Sequence, residues 1–147
     1  QGLQAWPLSR ISQSTAAMRH WLRARGHAEF QASEAAAQVE TLLHTTLNSE
    51  VGKWVLAARQ DAAAELALLS QADGDIKKHV IDRTFVEDNI RWIIDYKTGT
   101  LQHNLEAAAE AHRAQLETYA ALFKTQGLPV RCAILFMRLG ELLELKL

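Results

Sequence analysis

The sequence predicts a mixed α/β fold made of two helices, three consecutive strands, another helix and a last strand. Apolar residues recur at helical spacing in the first third of the chain, and short apolar runs bounded by turn residues follow Gly52. Helical spacing returns after Asn104 and gives way to a final apolar run. At 147 residues the chain has the length of one ordinary domain. We therefore expect a single domain, 1–147, with a helical part at 1–52 and a core at 53–147.

The first two elements are predicted helices. In SQSTAAMRHWLRARG, Ser12 or Ser14 supplies an N-cap and Gly26 ends the helix. In ASEAAAQVETLLHTTLNSE, Ser33 precedes an alanine-rich run. The apolar residues that give this run its helical period are Val39, Leu42, Leu43 and Leu47.

Three strands are predicted next, within AAAELALL, IKKHVIDRTFVE and NIRWIIDYK. The turn ADGD separates the first strand from the second. Asp88 and Asn89 separate the second from the third, and both residue types tolerate the positive φ angles of a two-residue hairpin turn. The three strands should therefore form a meander.

A helix and a strand complete the predicted order. Alanines and larger apolar residues restore the helical period from Asn104 to about Gln126. Gly127 and Pro129 end this helix, and the apolar run VRCAILFMRL follows as the last strand.

Composition narrows the classes of function. A net charge of −1 excludes the global basic field that is typical of non-specific nucleic-acid binders, so any DNA contact depends on local patches. Cys132 is the single cysteine and lies in an apolar run, which indicates a buried thiol and a reducing compartment. No apolar run approaches the length of a membrane helix. Because the chain begins QGLQAWPLSR, without an initiator methionine, we expect a piece of a longer protein.

The strongest functional signal is a pair of aspartates beside a lysine. With a two-residue turn at Asp88 and Asn89, the numbers of paired residues sum to 177, which sets Asp82 opposite Asp95 with Cβ atoms about 4.5–5.5 Å apart. Lys97, two residues further on, points to the same face. Facing carboxylates destabilise a sheet unless a cation lies between them, and oxygen ligands suit Mg²⁺ or Mn²⁺.

Such a site is suited to phosphodiester hydrolysis. A metal held by two aspartates lowers the pKa of bound water, while the lysine orients the nucleophile or stabilises developing charge. The alternative is that D-x-K on a strand forms only an ion pair, and the residues alone leave both interpretations open.

The order of motifs resembles a known nuclease family. ELALL, VIDRTFVEDNIRWIIDYKTG, HRAQLETYAALF and PVRCAILF, from about Glu65 to Leu135, are similar to RecB-type nuclease domains. These domains form a branch of the restriction-endonuclease-like superfamily with its PD-(D/E)xK signature, and are found at the C-terminus of UvrD-like helicase-nucleases of the AddA and RecB kind. The resemblance implies a restriction-endonuclease-like core and a metal-dependent DNA exonuclease that acts in end processing and recombinational repair.

The resemblance also assigns roles to residues. It implies that Asp82 and Asp95 are metal ligands, with the Tyr96 carbonyl as a third and Glu65 as a further acidic ligand on the first strand. Lys97 corresponds to the catalytic lysine.

A second motif lies on the predicted helix after the strands. Gln115 and Tyr119, four residues apart, match the family's Q-x-x-x-Y motif, which is associated with DNA. Their simpler interpretation is a core tyrosine with an exposed glutamine neighbour.

Two other features bear on DNA contact. The KKH segment at 77–79 and Arg83 form a basic edge that is suited to phosphates, although a charge run at a strand start is also typical of a solvated face. Trp6, Trp21 and Trp54 lie near the ends of predicted elements, which favours packing over base stacking.

One part of the family pattern is missing. In this family an upstream G-x-x-x-H motif supplies a metal-binding histidine. The most similar segment here is ETLLHTTL, in which Glu40 replaces the glycine and His44 comes 38 residues before Asp82. That separation is too short, and His20 is no better placed. We therefore expect the true motif before Gln1. The alternative to an active enzyme is a nuclease-like module that has lost activity and serves DNA binding or subunit docking.

The resemblance implies the remaining cofactors and partners. Mg²⁺ or Mn²⁺ is the expected cofactor, and ATP is expected only through a helicase region outside this chain, because no phosphate-binding G-x-x-x-x-G-K-[ST] loop is present. The expected partners are DNA, the helicase domains of the parent chain and a second helicase-nuclease subunit. The implied location is the bacterial cytoplasm, in association with the nucleoid and with no membrane partner.

Overall fold

The computed structural model of the chain describes residues 8–29, 35–57, 59–99 and 104–147. Ser33 and Trp6, the predicted cap and packing residue, lie outside these ranges. The helices are α1 (Leu8–Glu29), α2 (Ala35–Asn48), α3 (Glu50–Leu56), α4 (Leu105–Glu110) and α5 (Arg113–Ala121), with a 3₁₀ turn at Lys124–Gln126. The strands are β1 (Gln60–Ala72), β2 (Asp75–Glu87), β3 (Ile90–Lys97), β4 (Val130–Phe136) and β5 (Glu141–Leu145).

The five strands form one sheet in the order β1-β2-β3-β4-β5. All neighbours pair antiparallel except β3 and β4, which are parallel. A parallel pair needs a crossover connection, and α4, α5 and the 3₁₀ turn lie within it. The meander of β1, β2 and β3 follows the predicted order, and β3 is the middle strand of the sheet.

Two hairpin turns form as the sequence predicted. Asp73 and Gly74 join β1 to β2 with φ angles of 52° and 81°. Asp88 and Asn89 join β2 to β3 with φ angles of 52° and 61°. In the second hairpin, Glu87 pairs with Ile90, so the predicted register is correct.

The sheet separates two apolar cores. Helices α1, α2 and α3 cover one face, where Phe85 and Ile94 are buried. Helices α4 and α5 cover the other face, where Ile93 packs with Leu116 and Ile134. Ile93 and Ile94 thus follow the alternation of a strand that is buried on both sides.

The helical part differs from the prediction in two respects. Helix α1 begins at Leu8 and continues past Gly26, so Ser12 and Ser14 are not its caps; a glycine inside a helix costs only about 1 kcal/mol. Helix α3 was not predicted, because Gly52 resembled a break. Its N-cap is Ser49, whose hydroxyl accepts from the Gly52 amide. Gly52 lacks the Cβ that would lie 1.9 Å from the Thr46 carbonyl oxygen, so α3 can approach the end of α2.

The C-terminal part also differs. The predicted helix from Asn104 to Gln126 is broken into α4, α5 and the 3₁₀ turn, with a turn at Ala111 and His112. Asn104 is the N-cap of α4, since its side chain accepts from the Ala107 amide. The last predicted strand ends at Phe136, and a turn leads into β5, which was not predicted. In the described ranges, no helix is long and apolar enough to cross a membrane.

Candidate active site

The two aspartates lie where the β2–β3 ladder ends. Regular pairing runs from Glu87 with Ile90 to Arg83 with Ile94, and the next pair in this register would be Asp82 with Asp95. Here the Asp82 side chain replaces a backbone carbonyl as the acceptor, because its Oδ2 accepts a hydrogen bond of 2.8 Å from the Tyr96 backbone amide.

Strand β2 changes face at Asp82. Ile81 packs in the core under α5, whereas Arg83 donates to the Val55 carbonyl of α3 on the opposite side. In a regular strand, residues two apart share a face, so the backbone rotates between these two residues. Glu65 on β1, between the partners of Ile81 and Arg83, has a positive φ of 49°. This irregularity accompanies the turn of Asp82 away from the regular ladder.

Asp82 is buried and strongly perturbed. Only 7% of it is exposed, and its Oδ1 accepts a 2.8 Å hydrogen bond from Trp21 Nε1. Burial first, and then the charge of Asp95, raise the pKa of Asp82 to about 7, against the lowering effect of the Tyr96 amide and the Trp21 indole. The charge of Asp95 therefore acts on Asp82, although the two residues do not form the directly facing pair that the register predicted.

Asp95 and Lys97 form the expected pair. Lys97 Nζ lies 3.0 Å from Asp95 Oδ2, and the lysine side chain is about one quarter exposed, at 26%. Asp95 Oδ2 is fully buried, yet it accepts no hydrogen bond of regular geometry from the described residues. The ion pair thus exists, and Lys97 is the group that compensates this buried oxygen.

Glu65 shares a cavity with Asp82 but completes no cluster of metal ligands among the described residues. It is exposed, and it lines a cavity of about 330 Å³. The other lining residues are Trp21, Ala24, Arg25, Val80 and Asp82. Across the described ranges, no three histidine, cysteine, aspartate or glutamate side chains converge as metal ligands would. The acidic centre therefore consists of Asp82 and Asp95.

These residues fit a divalent cation. Two buried carboxylates that repel each other are stabilised by positive charge between them. Among the described residues, Asp95 Oδ2 has no hydrogen bond beyond its ion pair with Lys97. Their hard oxygen donors suit Mg²⁺ and Mn²⁺, which commonly retain water ligands when few protein ligands are present. The Tyr96 carbonyl, predicted as a third ligand, belongs to the residue whose amide holds Asp82.

Gln115 and Tyr119 share one face of α5, as predicted. Gln115 Nε2 donates to the Tyr119 hydroxyl at 2.8 Å, and that hydroxyl donates to the Val80 carbonyl at 3.1 Å. Burial, then the charges of Asp95 and Asp82, raise the pKa of Tyr119. The motif therefore adjoins the carboxylates, with a buried tyrosine fixing an exposed glutamine.

The predicted basic edge needs correction at Arg83. This residue is only 4% exposed, and its guanidinium donates to the Val55 and Ala57 carbonyls beside α3. It therefore holds the end of α3 and does not face phosphates. Lys77 and Lys78 are exposed, as a phosphate contact requires.

His20 and His44 do not enter the site. His44 is exposed on α2 and forms a 2.8 Å hydrogen bond with Asn48, and His20 is exposed on α1. Sequence reasoning missed two neighbours of the centre. Trp21 was predicted only as a packing residue, and His112 follows α4, where burial and then the Lys97 charge lower its pKa. Trp21 belongs to no motif, and His112 begins the segment HRAQLETYAALF without a role of its own, so only the fold shows that they are neighbours of the centre.

Comparison with protein families matches residues 4–144 to the PD-(D/E)XK nuclease superfamily. No curated protein matches the chain. The matched segment is longer than the stretch from Glu65 to Leu135 on which the sequence resemblance rested, and it includes α1 as well as the two aspartates. The mixed α/β, restriction-endonuclease-like fold class is confirmed.

Proposed function

The chain belongs to the PD-(D/E)XK nuclease superfamily, and from this premise we propose that it hydrolyses phosphodiester bonds in DNA with a divalent cation, using Asp82, Asp95 and Lys97. The observation that carries the proposal is the pair of buried, mutually repelling carboxylates of Asp82 and Asp95, with Lys97 Nζ 3.0 Å from Asp95 Oδ2. Nucleases of this superfamily typically use divalent metals.

Asp82 and Asp95 are the residues that would hold the cation, together with the Tyr96 carbonyl. A cation bound there supplies charge neutralisation at the phosphate and a lowered pKa for bound water. Asp82 is pre-oriented by its two hydrogen bonds. Lys97 is partly exposed, so its ammonium can stay on Asp95 or turn to a phosphate oxygen, where positive charge stabilises the transition state.

Gln115 and Tyr119 are the proposed DNA contact. Tyr119 is tied to the carbonyl of Val80, which lies two residues before Asp82 on β2, and the exposed Gln115 amide is held by the tyrosine hydroxyl. A DNA strand that reaches the carboxylates therefore passes an amide with donor and acceptor capacity. Lys77 and Lys78, near the start of β2 in the β1–β2 hairpin, add exposed positive charge.

We further propose the RecB-type branch, with an exonuclease attached to a UvrD-like helicase in DNA end processing and recombinational repair. The support is the order D-x-K, then Q-x-x-x-Y on the following helix. The same proposal includes three further points. The chain is a single domain of a longer parent chain, its partner is a second helicase-nuclease subunit, and the complex acts in the bacterial cytoplasm. The competing function is an inactive module for DNA binding or docking, favoured by the absence of a third metal-ligating side chain among the described residues.

The test is metal-dependent degradation of end-labelled single- and double-stranded DNA. We would compare this chain, a version extended upstream, Lys97→Ala, and Lys53→Ala as a control at an exposed lysine of α3. Cleavage that requires Mg²⁺ or Mn²⁺ and is lost only in Lys97→Ala supports the nuclease. A folded chain that binds metal but leaves DNA intact supports the inactive module.

A further inference from the structure

Trp21 is the side chain through which helix α1 reaches the acidic centre. Its indole Nε1 donates to Asp82 Oδ1 at 2.8 Å, and its ring meets the Tyr96 ring edge-on, with centroids 5.1 Å apart and planes at 88°. Trp21 is 6% exposed and Asp82 is 7% exposed. Because donor and acceptor are both buried, water competes little for this hydrogen bond.

With Trp21 in place, each oxygen of the Asp82 carboxylate has one fixed donor. Trp21 holds Oδ1 and the Tyr96 amide holds Oδ2. The carboxylate therefore cannot rotate about its Cβ–Cγ bond without losing a hydrogen bond. Each oxygen retains a second acceptor position, so the two bonds orient the group and leave it able to bind a cation.

The Trp21 ring is itself restrained. The guanidinium of Arg25, one turn along α1, lies 4.8 Å from the ring centroid, and the ring of Tyr96 is a second contact. Trp21 and Arg25 line the cavity with Asp82, whereas His20 is exposed. Helix α1 thus offers the centre an indole donor held in one orientation.

We propose that Trp21 is a positioning residue that sets the orientation of the Asp82 carboxylate for divalent-cation binding, an inference that rests on the proposed nuclease function. Hydrogen-bonding partners of metal ligands orient those ligands, and their loss typically weakens metal affinity or activity by about 10- to 100-fold. Trp21 acts through Asp82, so its loss should reduce cation affinity more than the rate at saturating cation.

Trp54 provides a matched control. Its Nε1 donates to Glu87 Oε2 at 2.9 Å, and its ring contacts Phe85 and Trp92 edge-on at 5.2 Å and 5.0 Å. Glu87 is five residues from Asp82, at the turn end of β2. Trp21→Phe and Trp54→Phe each remove one indole donor and keep an aromatic ring, but only the first removes a donor to Asp82.

The experiment is calorimetric titration of Mn²⁺ into the wild-type chain and both variants, followed by DNA cleavage over a range of Mn²⁺ concentrations. We expect Trp21→Phe to bind Mn²⁺ about 10- to 100-fold more weakly and to recover cleavage at high Mn²⁺, with Trp54→Phe close to wild type. Equal affinity in Trp21→Phe and wild type would overturn the role of Trp21 and leave the nuclease intact. A wild-type chain that binds no Mn²⁺ would overturn both.

A measurement on the wild-type chain covers the case in which Trp21→Phe does not fold. In ¹⁵N-labelled protein, the indole N–H signal of Trp21 should shift as Mg²⁺ is added, together with the amide signal of Tyr96. The indole signal of Trp54 serves as the reference that stays in place. A Tyr96 signal that moves while the Trp21 indole does not would contradict the proposal.

Discussion

Asp82→Asn should stabilise the metal-free protein at alkaline pH, because it removes one of two carboxylates that repel each other. The pKa of Asp82 is raised from 3.8 to about 7 by burial and by Asp95. A folded pKa above the unfolded value means that stability from this group is complete below about pH 4 and falls as pH rises through about 7. Asparagine is uncharged, like the protonated acid, and does not titrate. The stability of the Asp82→Asn variant therefore does not fall in this way as pH rises.

The magnitude follows from the two pKa values. At about 1.4 kcal/mol per pKa unit, the difference between 3.8 and about 7 corresponds to about 4 kcal/mol of unfolding free energy, lost by pH 8. Asparagine has one acceptor oxygen, so it keeps only one of the hydrogen bonds from Trp21 and Tyr96 and loses the other at every pH. This loss does not change with pH, so it lowers the stability of the variant by a constant amount and leaves the pH dependence of the difference intact.

The assay is urea unfolding in EDTA at pH 5, 6, 7 and 8 for wild type, Asp82→Asn and Asp88→Asn. The control removes an exposed acid at the β2–β3 turn, where asparagine also tolerates the positive φ of 52°. The free energy of unfolding of Asp82→Asn, relative to wild type, should increase by about 3 kcal/mol between pH 5 and pH 8. Mg²⁺ should then stabilise wild type alone, by mass action. A difference that stays constant from pH 5 to pH 8 would refute the reasoning.

Two further substitutions test the scaffold around the site. Gly52→Ala should lower the free energy of unfolding by about 1–3 kcal/mol or more, because its Cβ would lie 1.9 Å from the Thr46 carbonyl oxygen. Thermal unfolding should show this loss, whereas the control Gly99→Ala, with open space around its Cβ, should stay near wild type. Tyr119→Phe should lower the free energy of unfolding by about 1–3 kcal/mol, because the Val80 carbonyl loses the hydroxyl donor. It should weaken DNA binding in an anisotropy titration without changing Mn²⁺ affinity, and an unchanged DNA affinity would contradict the proposed contact.

Local turn chemistry made the β2–β3 hairpin predictable. Asp88 and Asn89 adopt the positive φ angles that their residue types tolerate, and the resulting register brings Asp82 beside Asp95. The change of face at Asp82 was not predictable in this way. It accompanies a positive φ at Glu65, a residue type that carries no such signal, and it is held by donors distant in sequence.

Long-range contacts also explain the other differences. Trp21 lies 61 residues before Asp82, so the hydrogen bond between them follows from the packing of α1 and from no local pattern. Helix α3 has seven residues, too few for a strong hydrophobic period, and it depends on the Ser49 cap. The break between α4 and α5 contains neither glycine nor proline, since Ala111 and His112 occupy it.

The middle position of β3 gives the two halves of the acidic centre different local stabilities. Asp95 and Lys97 belong to a strand with a neighbour on each side, and the pairing with β4 continues through both residues. Opening this end of β3 requires its separation from β4, so amides here should exchange with solvent more slowly than those of α1. Asp82 lies beyond the last regular β2–β3 pair and depends on Trp21 and Tyr96. Subglobal opening of α1 would therefore release Asp82 while Asp95 and Lys97 keep their places on β3.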